Sequence, residues 1–206
     1  MHVVLVHGMG RSPRALAPLG RRLREAGHTT SFFAYGVRTS ALGAIVNRFV
    51  RETRPATEAG PWALVGHSLG NLVYRLAERE LSRPPERAIM LAPPNRGSAA
   101  ARLVSQTPLA ATLFAALTGD AGRRLADPGF CAALPRPAVP VTIFAGDRGP
   151  RLPLPFAGAP NDGLVSVEET RLEGADVEHE VVPAIHTFIM NDPRVVQRTL
   201  ALLRRA

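Results

Sequence analysis

A chain of 206 residues, 46% apolar and 20% charged, is long enough for one domain with a full core, and this make-up excludes a disordered or fibrous protein. No apolar run reaches the roughly 18 to 20 residues that a membrane-spanning helix needs. The net charge of +8 rests on 25 basic residues, all arginine, but they are dispersed in ones and twos. That dispersal speaks against nucleic-acid binding and leaves open only a weak attraction to anionic lipid surfaces.

The chain runs from Met1 straight into an apolar strand, with no basic n-region and no room for a cleavable apolar one. A cytoplasmic protein is therefore expected if Met1 is the true start. The single cysteine, Cys131, excludes an intramolecular disulfide and, with no CxxC partner or neighbouring His, reads as a small buried residue.

Short β-branched runs alternate with segments of helical period, the pattern of a parallel sheet covered on both faces. The first strand is 3–6. An amphipathic helix follows over 13–26, with Leu16, Leu19 and Leu23 on one face, Arg21, Arg22 and Arg24 towards water, and Gly27 as its stop. A strand at 29–35 leads to a helix at 42–54 that Pro55 ends. A strand at 62–65 precedes a helix at 69–81, and a strand at 88–91 precedes the longest interruption, 93–140. The Ala- and Leu-rich centre of that interruption, 98–126, reads as helical. Strands at 139–145 and 177–182 and a helix at 193–205 complete the pattern. The economical organisation is a single domain over 1–206, with a compact, mostly parallel sheet of about six strands and a helical insertion before the fifth.

Gly66-His67-Ser68-Leu69-Gly70 is a G-x-S-x-G pattern set between a strand and a helix. A sharp turn there strains the serine, and side chains at the flanking positions would strike the neighbouring strand and helix. The turn lifts the Ser68 hydroxyl out of the sheet at a helix N-terminus, where developing negative charge is favoured. His7-Gly8-Met9-Gly10 follows the first strand. Acyl transfer needs two N–H donors on its oxyanion, which Met9 and Leu69 would supply, while Gly8 and Gly10 allow a close backbone approach to substrate. His7 is expected to brace this loop.

A serine hydroxyl needs a base. Of the six histidines, His2 and His7 belong to the first strand and its loop. His28 lies at a helix end on the far edge, His67 sits inside the turn pointing elsewhere, and His179 belongs to the sixth strand. His186 alone opens the loop after the last strand, at the edge where ligands of parallel sheets sit. Two aspartates compete as its acid: Asp162, in Asn161-Asp162-Gly163-Leu164-Val165, is favoured, with Asp147 directly after the fifth strand as the alternative. Asp176 and Asp192 are outsiders.

With these residues in order, the chain resembles the small bacterial lipase/esterase branch of the α/β-hydrolase family, which holds triacylglycerol lipases and relatives of GPI-inositol deacylases. The likeness rests on Val6-His7-Gly8-Met9-Gly10, on Val65 to Asn71, on Pro94-Asn95-Arg96-Gly97-Ser98, and on Asn161 to Val165 followed by His186. It implies an α/β-hydrolase fold and a carboxylic ester hydrolase whose partner is a small-molecule ester or lipid, working without cofactor or metal. It also implies that Asn95 and Leu164 border the substrate. Thr187 and Phe188 after His186, in place of an acid, imply no calcium. The apolar stretch 103–117, with Leu109 and Leu113, either lines an acyl pocket or packs onto the body of the fold. An acyl thioesterase or acyltransferase using the same triad, and a hydrolase-fold binding protein without catalysis, remain the alternatives.

Overall fold

In the computed structural model, which describes residues 1–204, the strands are β1 (His2–Val6), β2 (Thr29–Phe33), β3 (Trp62–His67), β4 (Ala88–Leu91), β5 (Val141–Gly146) and β6 (Val177–Val182). They form one sheet in the order β2-β1-β3-β4-β5-β6, with every neighbouring pair parallel. All six therefore end at the same edge, and the loops that carry Met9, Ser68, Asn95, Asp147 and His186 leave from it.

The inner strands are apolar on both sides because both faces are covered. Val4, Val6, Leu64, Met90 and Ile143 point into a core shared with α2 (Leu42–Glu58) and α3 (Leu69–Ala77). Their neighbours Val3, Leu5, Val65, Ile89 and Phe144 point into a second core, shared with α1 (Ala17–Glu25) and α7 (Pro193–Arg204). The strand's period of two thus sorts each run between two layers.

Several boundaries differ from those read off the sequence, each for a local reason. The expected helix over 13–26 opens with a 3-10 turn, Pro13–Leu16, because Pro18 fits the first turn of α1 but not the interior of a longer helix. β2 stops at Phe33: the Tyr35 N–H donates to His7 Nε2 at 3.2 Å instead of to the ladder. Pro55 does not end α2, which continues to Glu58. The exposed Pro55 lies on its outer side, while buried Thr53 and Thr57 hold the last turn inward. β5 starts at Val141, after the donorless Pro140. The final position expected for the last helix, Arg205, lies outside the described residues.

The interruption before β5 folds as α4 (Ala99–Ser105), α5 (Pro108–Ala126) and α6 (Pro128–Ala133). α5 kinks at Gly119, whose φ of 61° and approach to the Val37 carbonyl, 2.3 Å from where a Cβ would stand, exclude a side chain. Cys131, on α6, is buried, and burial pushes its thiol up to about 11. Among the described residues no helix is long and apolar enough to cross a membrane.

Both ends of this insertion are tied to α3 by Arg75, which is 1% exposed. Its guanidinium donates to Pro135 O at 3.0 Å, Leu134 O at 2.8 Å and Asn95 Oδ1 at 3.1 Å, and burial pulls it down to about 10. Arg75→Met would strand these acceptors at about 1 to 3 kcal/mol each. The expected loss is about 3 kcal/mol of unfolding free energy in a urea titration, and a loss below about 1 kcal/mol would mean that the carbonyls find other donors. Iodoacetamide at pH 8 should leave Cys131 unmodified in the native protein and label it after denaturation; labelling of the folded chain would contradict its burial.

Candidate active site

The turn from β3 into α3 places Ser68 at φ 51° and ψ −122°, a conformation costly for any residue but glycine. Close packing on both sides imposes it. A Cβ on Gly66 would fall 2.2 Å from Asn71 Oδ1, and one on Gly70 would fall 2.5 Å from the Val6 carbonyl oxygen and 2.8 Å from that of His7. The Ser68 N–H donates to Leu91 O at 2.9 Å, and the Asn71 side-chain amide donates to Ser68 O at 3.1 Å, so β4 and α3 clamp the turn from either side. Asn71 carries no catalytic signature, and sequence reasoning missed this part of its work.

The loop after β1 is held by His7. Its Nδ1 donates to Gly8 O at 2.8 Å, its Nε2 accepts from Tyr35 N, and its ring stacks on Tyr35 at 4.4 Å. The Tyr35 hydroxyl donates back to His7 O at 2.7 Å. Burial lowers the His7 imidazole and raises the Tyr35 phenol, so both stay neutral at pH 7. His7 braces, as its position suggested. Gly8 packs on the turn, since a Cβ there would lie 3.0 Å from Ser68 Cβ, whereas Gly10, at φ 67°, faces open space. Among the described residues no backbone acceptor takes the N–H of Met9 or of Leu69, the first residue of α3.

His186 opens the 3-10 turn that follows β6. Its Nδ1 lies 2.7 Å from Asp162 Oδ2, and its own N–H donates to Asp162 O at 2.9 Å. Beside a carboxylate, Nδ1 carries the proton, which leaves the Nε2 lone pair free. Asp162 is buried, and its other oxygen accepts from Leu164 N at 3.0 Å and Val165 N at 2.7 Å. Gly146 lets it sit so close to β5: a Cβ there would be 2.8 Å from Asp162 Cβ. Asp147 instead turns away, with Arg148 Nε at 3.8 Å and no part in the His186 contact. Of the two aspartates, Asp162 is the one that contacts His186.

Ser68 and His186 face one pocket of about 140 Å³. Met9, Leu164 and Val165 line its mouth and one wall, and Ala101, Val104, Phe114 and Leu125 of the insertion form the apolar remainder. Among the described residues the Ser68 hydroxyl has no hydrogen-bond partner, and Ser68 and His186 both line the pocket. A wider groove of about 470 Å³, between α1 and α7, contains none of these groups.

Three expectations need correction. Leu109 and Leu113 do not line the pocket; they are 85% and 60% exposed on the outer side of α5, and Val104 and Phe114 take their place. Helical period alone could not say which face of a docked insertion turns inward. Asn95 does not reach substrate space either: it is buried, its amide donating to Thr170 O at 2.7 Å and its oxygen taking Arg75. Nor does His67 point away from the site, because its Nε2 meets His186 O at 3.0 Å. Two further residues went unassigned. Ser98 caps α4 and donates to Leu164 O at 3.1 Å, and buried Glu169 accepts from Ser166 N at 2.8 Å and from Ala99 N, joining the acid loop to the insertion. Among the described residues no group of three or more His, Cys, Asp or Glu side chains could hold a metal.

No protein-family model and no curated protein matches the chain. Solved structures do. The mature lipase BlEst2 of Bacillus licheniformis superposes with a TM-score of 0.76 at 21% identity, over 98% of this chain and 91% of that one. A structure from the metagenome-derived lipolytic pair LipS and LipT gives 0.69 at 17% identity, over 100% and 94%. The NocB thioesterase domain gives 0.60 at 18%, over 99% and 93%. At these identities the likeness is one of fold.

The close approach at Gly70 makes a sharp prediction. Gly70→Ala sets a methyl against two backbone carbonyls that cannot rotate away, and should cost about 1 to 3 kcal/mol in thermal or urea unfolding. A neutral substitution would mean that the turn is looser than described.

Proposed function

We propose that this chain, which has the α/β-hydrolase fold, is a serine hydrolase of carboxylic esters with short acyl chains. One observation carries the reading: His186, bonded at 2.7 Å to a buried carboxylate, shares a pocket with a serine held in a strained turn. The lipolytic neighbours agree with it.

Ser68 Oγ attacks the ester carbonyl while His186 Nε2 takes its proton. The carbonyl oxygen, now an anion, receives hydrogen bonds from the Met9 and Leu69 N–H groups, and the start of α3 adds its favourable dipole. His186 returns the proton to the departing alkoxide, leaving an acyl group on Ser68. Water, deprotonated by His186, then cleaves the acyl-enzyme by the reverse path. Asp162 holds the required tautomer and stabilises the imidazolium without taking the proton. The apolar wall of Val104, Phe114 and Leu125 takes the acyl chain, and a pocket of about 140 Å³, well under the ~300 Å³ of ordinary small-molecule sites, favours a short one. Gly8, Gly10 and Leu164 shape the entrance.

The test is hydrolysis of p-nitrophenyl esters from acetate to palmitate, with acyl thioesters of the same chain lengths alongside. Wild type should be most active on the shorter esters, and Ser68→Ala should lose activity on all of them. Preference for the thioesters would move the reading to an acyl thioesterase, and a folded protein inert to both would favour a binding role. Asp162→Asn, which keeps the shape and presents the wrong tautomer, should lower kcat by about 10⁴. A loss under about tenfold would return the acid role to Asp147.

A further inference from the structure

His67 lies beside the nucleophile in sequence, is 1% exposed, and takes no part in the proton transfers described above. Its surroundings are unusual for a mere filler of space. Nε2 is 3.0 Å from the backbone oxygen of His186, and the two imidazole rings stand 4.9 Å apart at a 48° tilt. A carbonyl oxygen can only accept, so the proton of His67 must be on Nε2. Nδ1 is then a lone pair, buried without a donor and packed against Gly8, where an added Cβ would come within 2.8 Å. One ring therefore touches the base loop through its edge and the loop carrying Met9 through its other nitrogen, while its backbone runs directly into Ser68.

We propose that His67 is a positioning residue that sets the distance between His186 and Ser68, and that it does so as a permanently neutral imidazole. The assignment rests on the hydrolase reading above. Neutrality matters because His186 becomes a cation in the transition state. A second positive charge at 4.9 Å between ring centres would oppose that step. Most of what faces His67 favours the neutral form: burial is the largest influence, His186, Arg11 and His7 add to it, and the His186 carbonyl alone of these works the other way. Protonation of Nδ1 would also create a buried N–H with nothing to receive it. Among the described residues Ser68 and His186 are not hydrogen-bonded to each other, so the distance between them is set by their supports, and His67, next to Ser68 in sequence and bonded to His186 O, joins the two.

The experiment compares His67→Leu, His67→Gln and His67→Asn with wild type on p-nitrophenyl butyrate. The glutamine amide stands where Nε2 stands and can keep the bond to His186 O; the asparagine amide is too short to reach it, and leucine has no donor. Leucine and asparagine should lower kcat about 10- to 100-fold, as expected for a reacting group displaced by up to about 1 Å, with KM unchanged within about twofold. Glutamine should retain most of the activity. The acid limb of kcat/KM should move to lower pH in the leucine and asparagine variants, because a His186 less well seated on Asp162 is a weaker base, and should stay in place with glutamine. The wild-type limb should have unit slope, one titrating imidazole and not two. Equal losses in all three variants, an effect on KM alone, or a slope of two in wild type overturns the assignment. If the leucine variant does not fold, asparagine against glutamine decides the matter by the same measures. Fluorophosphonate labelling of Ser68 separates this question from the larger one: a wild type that neither turns over esters nor takes the label removes the hydrolase reading and this role with it, whereas an active wild type matched by its asparagine variant removes only the role of His67.

Discussion

Two carbonyl oxygens at the end of β1, those of Val6 and His7, come so near the first turn of α3 that only a glycine can stand between them. That approach brings the helix down hard on the sheet and leaves the preceding residue no relaxed way to turn from strand to helix. Ser68 absorbs the strain, and the Leu91 carbonyl and the Asn71 amide keep it there. Once the hydroxyl is fixed above the strand ends, the parallel sheet does the rest. Every loop that must reach it leaves from the same edge, with no side chain required to span the body of the fold.

Three histidines crowd this edge, and their surroundings give each a different task. His7 uses both ring nitrogens on backbone and is a strut. His67 uses one and hides the other. His186 gives one to Asp162 and keeps the other for the pocket. Asp162 sits in a ring of three donors contributed by Leu164, Val165 and His186. In the mechanism proposed above, this keeps the carboxylate on the far side of the His186 ring from Nε2, where it responds to the moving proton without competing for it.

Much of this was legible in the sequence because it is written in steric terms. A glycine that no other residue can replace, or a strand that is apolar on both faces, states its own environment. The succession of strands and helices along the chain and the turn at Ser68 followed from that; His186 was singled out by elimination and by its loop after the last strand. Asp162 was favoured because the Asp162-Gly163-Leu164-Val165 it opens resembles a lipase acid loop, more than for its charge. What escaped was set by docking between distant segments. Whether Leu109 or Phe114 turns inward depends on how α5 lies on the body, and a helix with apolar residues nearly all round does not say. Asn95 looked like a substrate contact because the resemblance puts its loop beside the site, but its place was decided by a buried arginine on another helix. Pro55 misled in the opposite sense: its rule is local, and the packing of Thr53 and Thr57 overrode it.

The ties made by Arg75 separate the molecule into parts that can change at different rates. The groups proposed for bond breaking belong to loops at the ends of the strands, whereas most of the apolar wall of the pocket belongs to α4 and α5. The start and end of that insertion are fastened to α3 through one guanidinium at Asn95, Leu134 and Pro135. Between these fixed points the segment can be varied without disturbing the sheet or the strained turn, so long as the arginine still finds its acceptors and the ties of Ser98 and Ala99 to the acid loop are kept. Selection, in nature or in the laboratory, thus has a replaceable cassette for choosing the acyl group, mounted on a frame that keeps the chemistry constant.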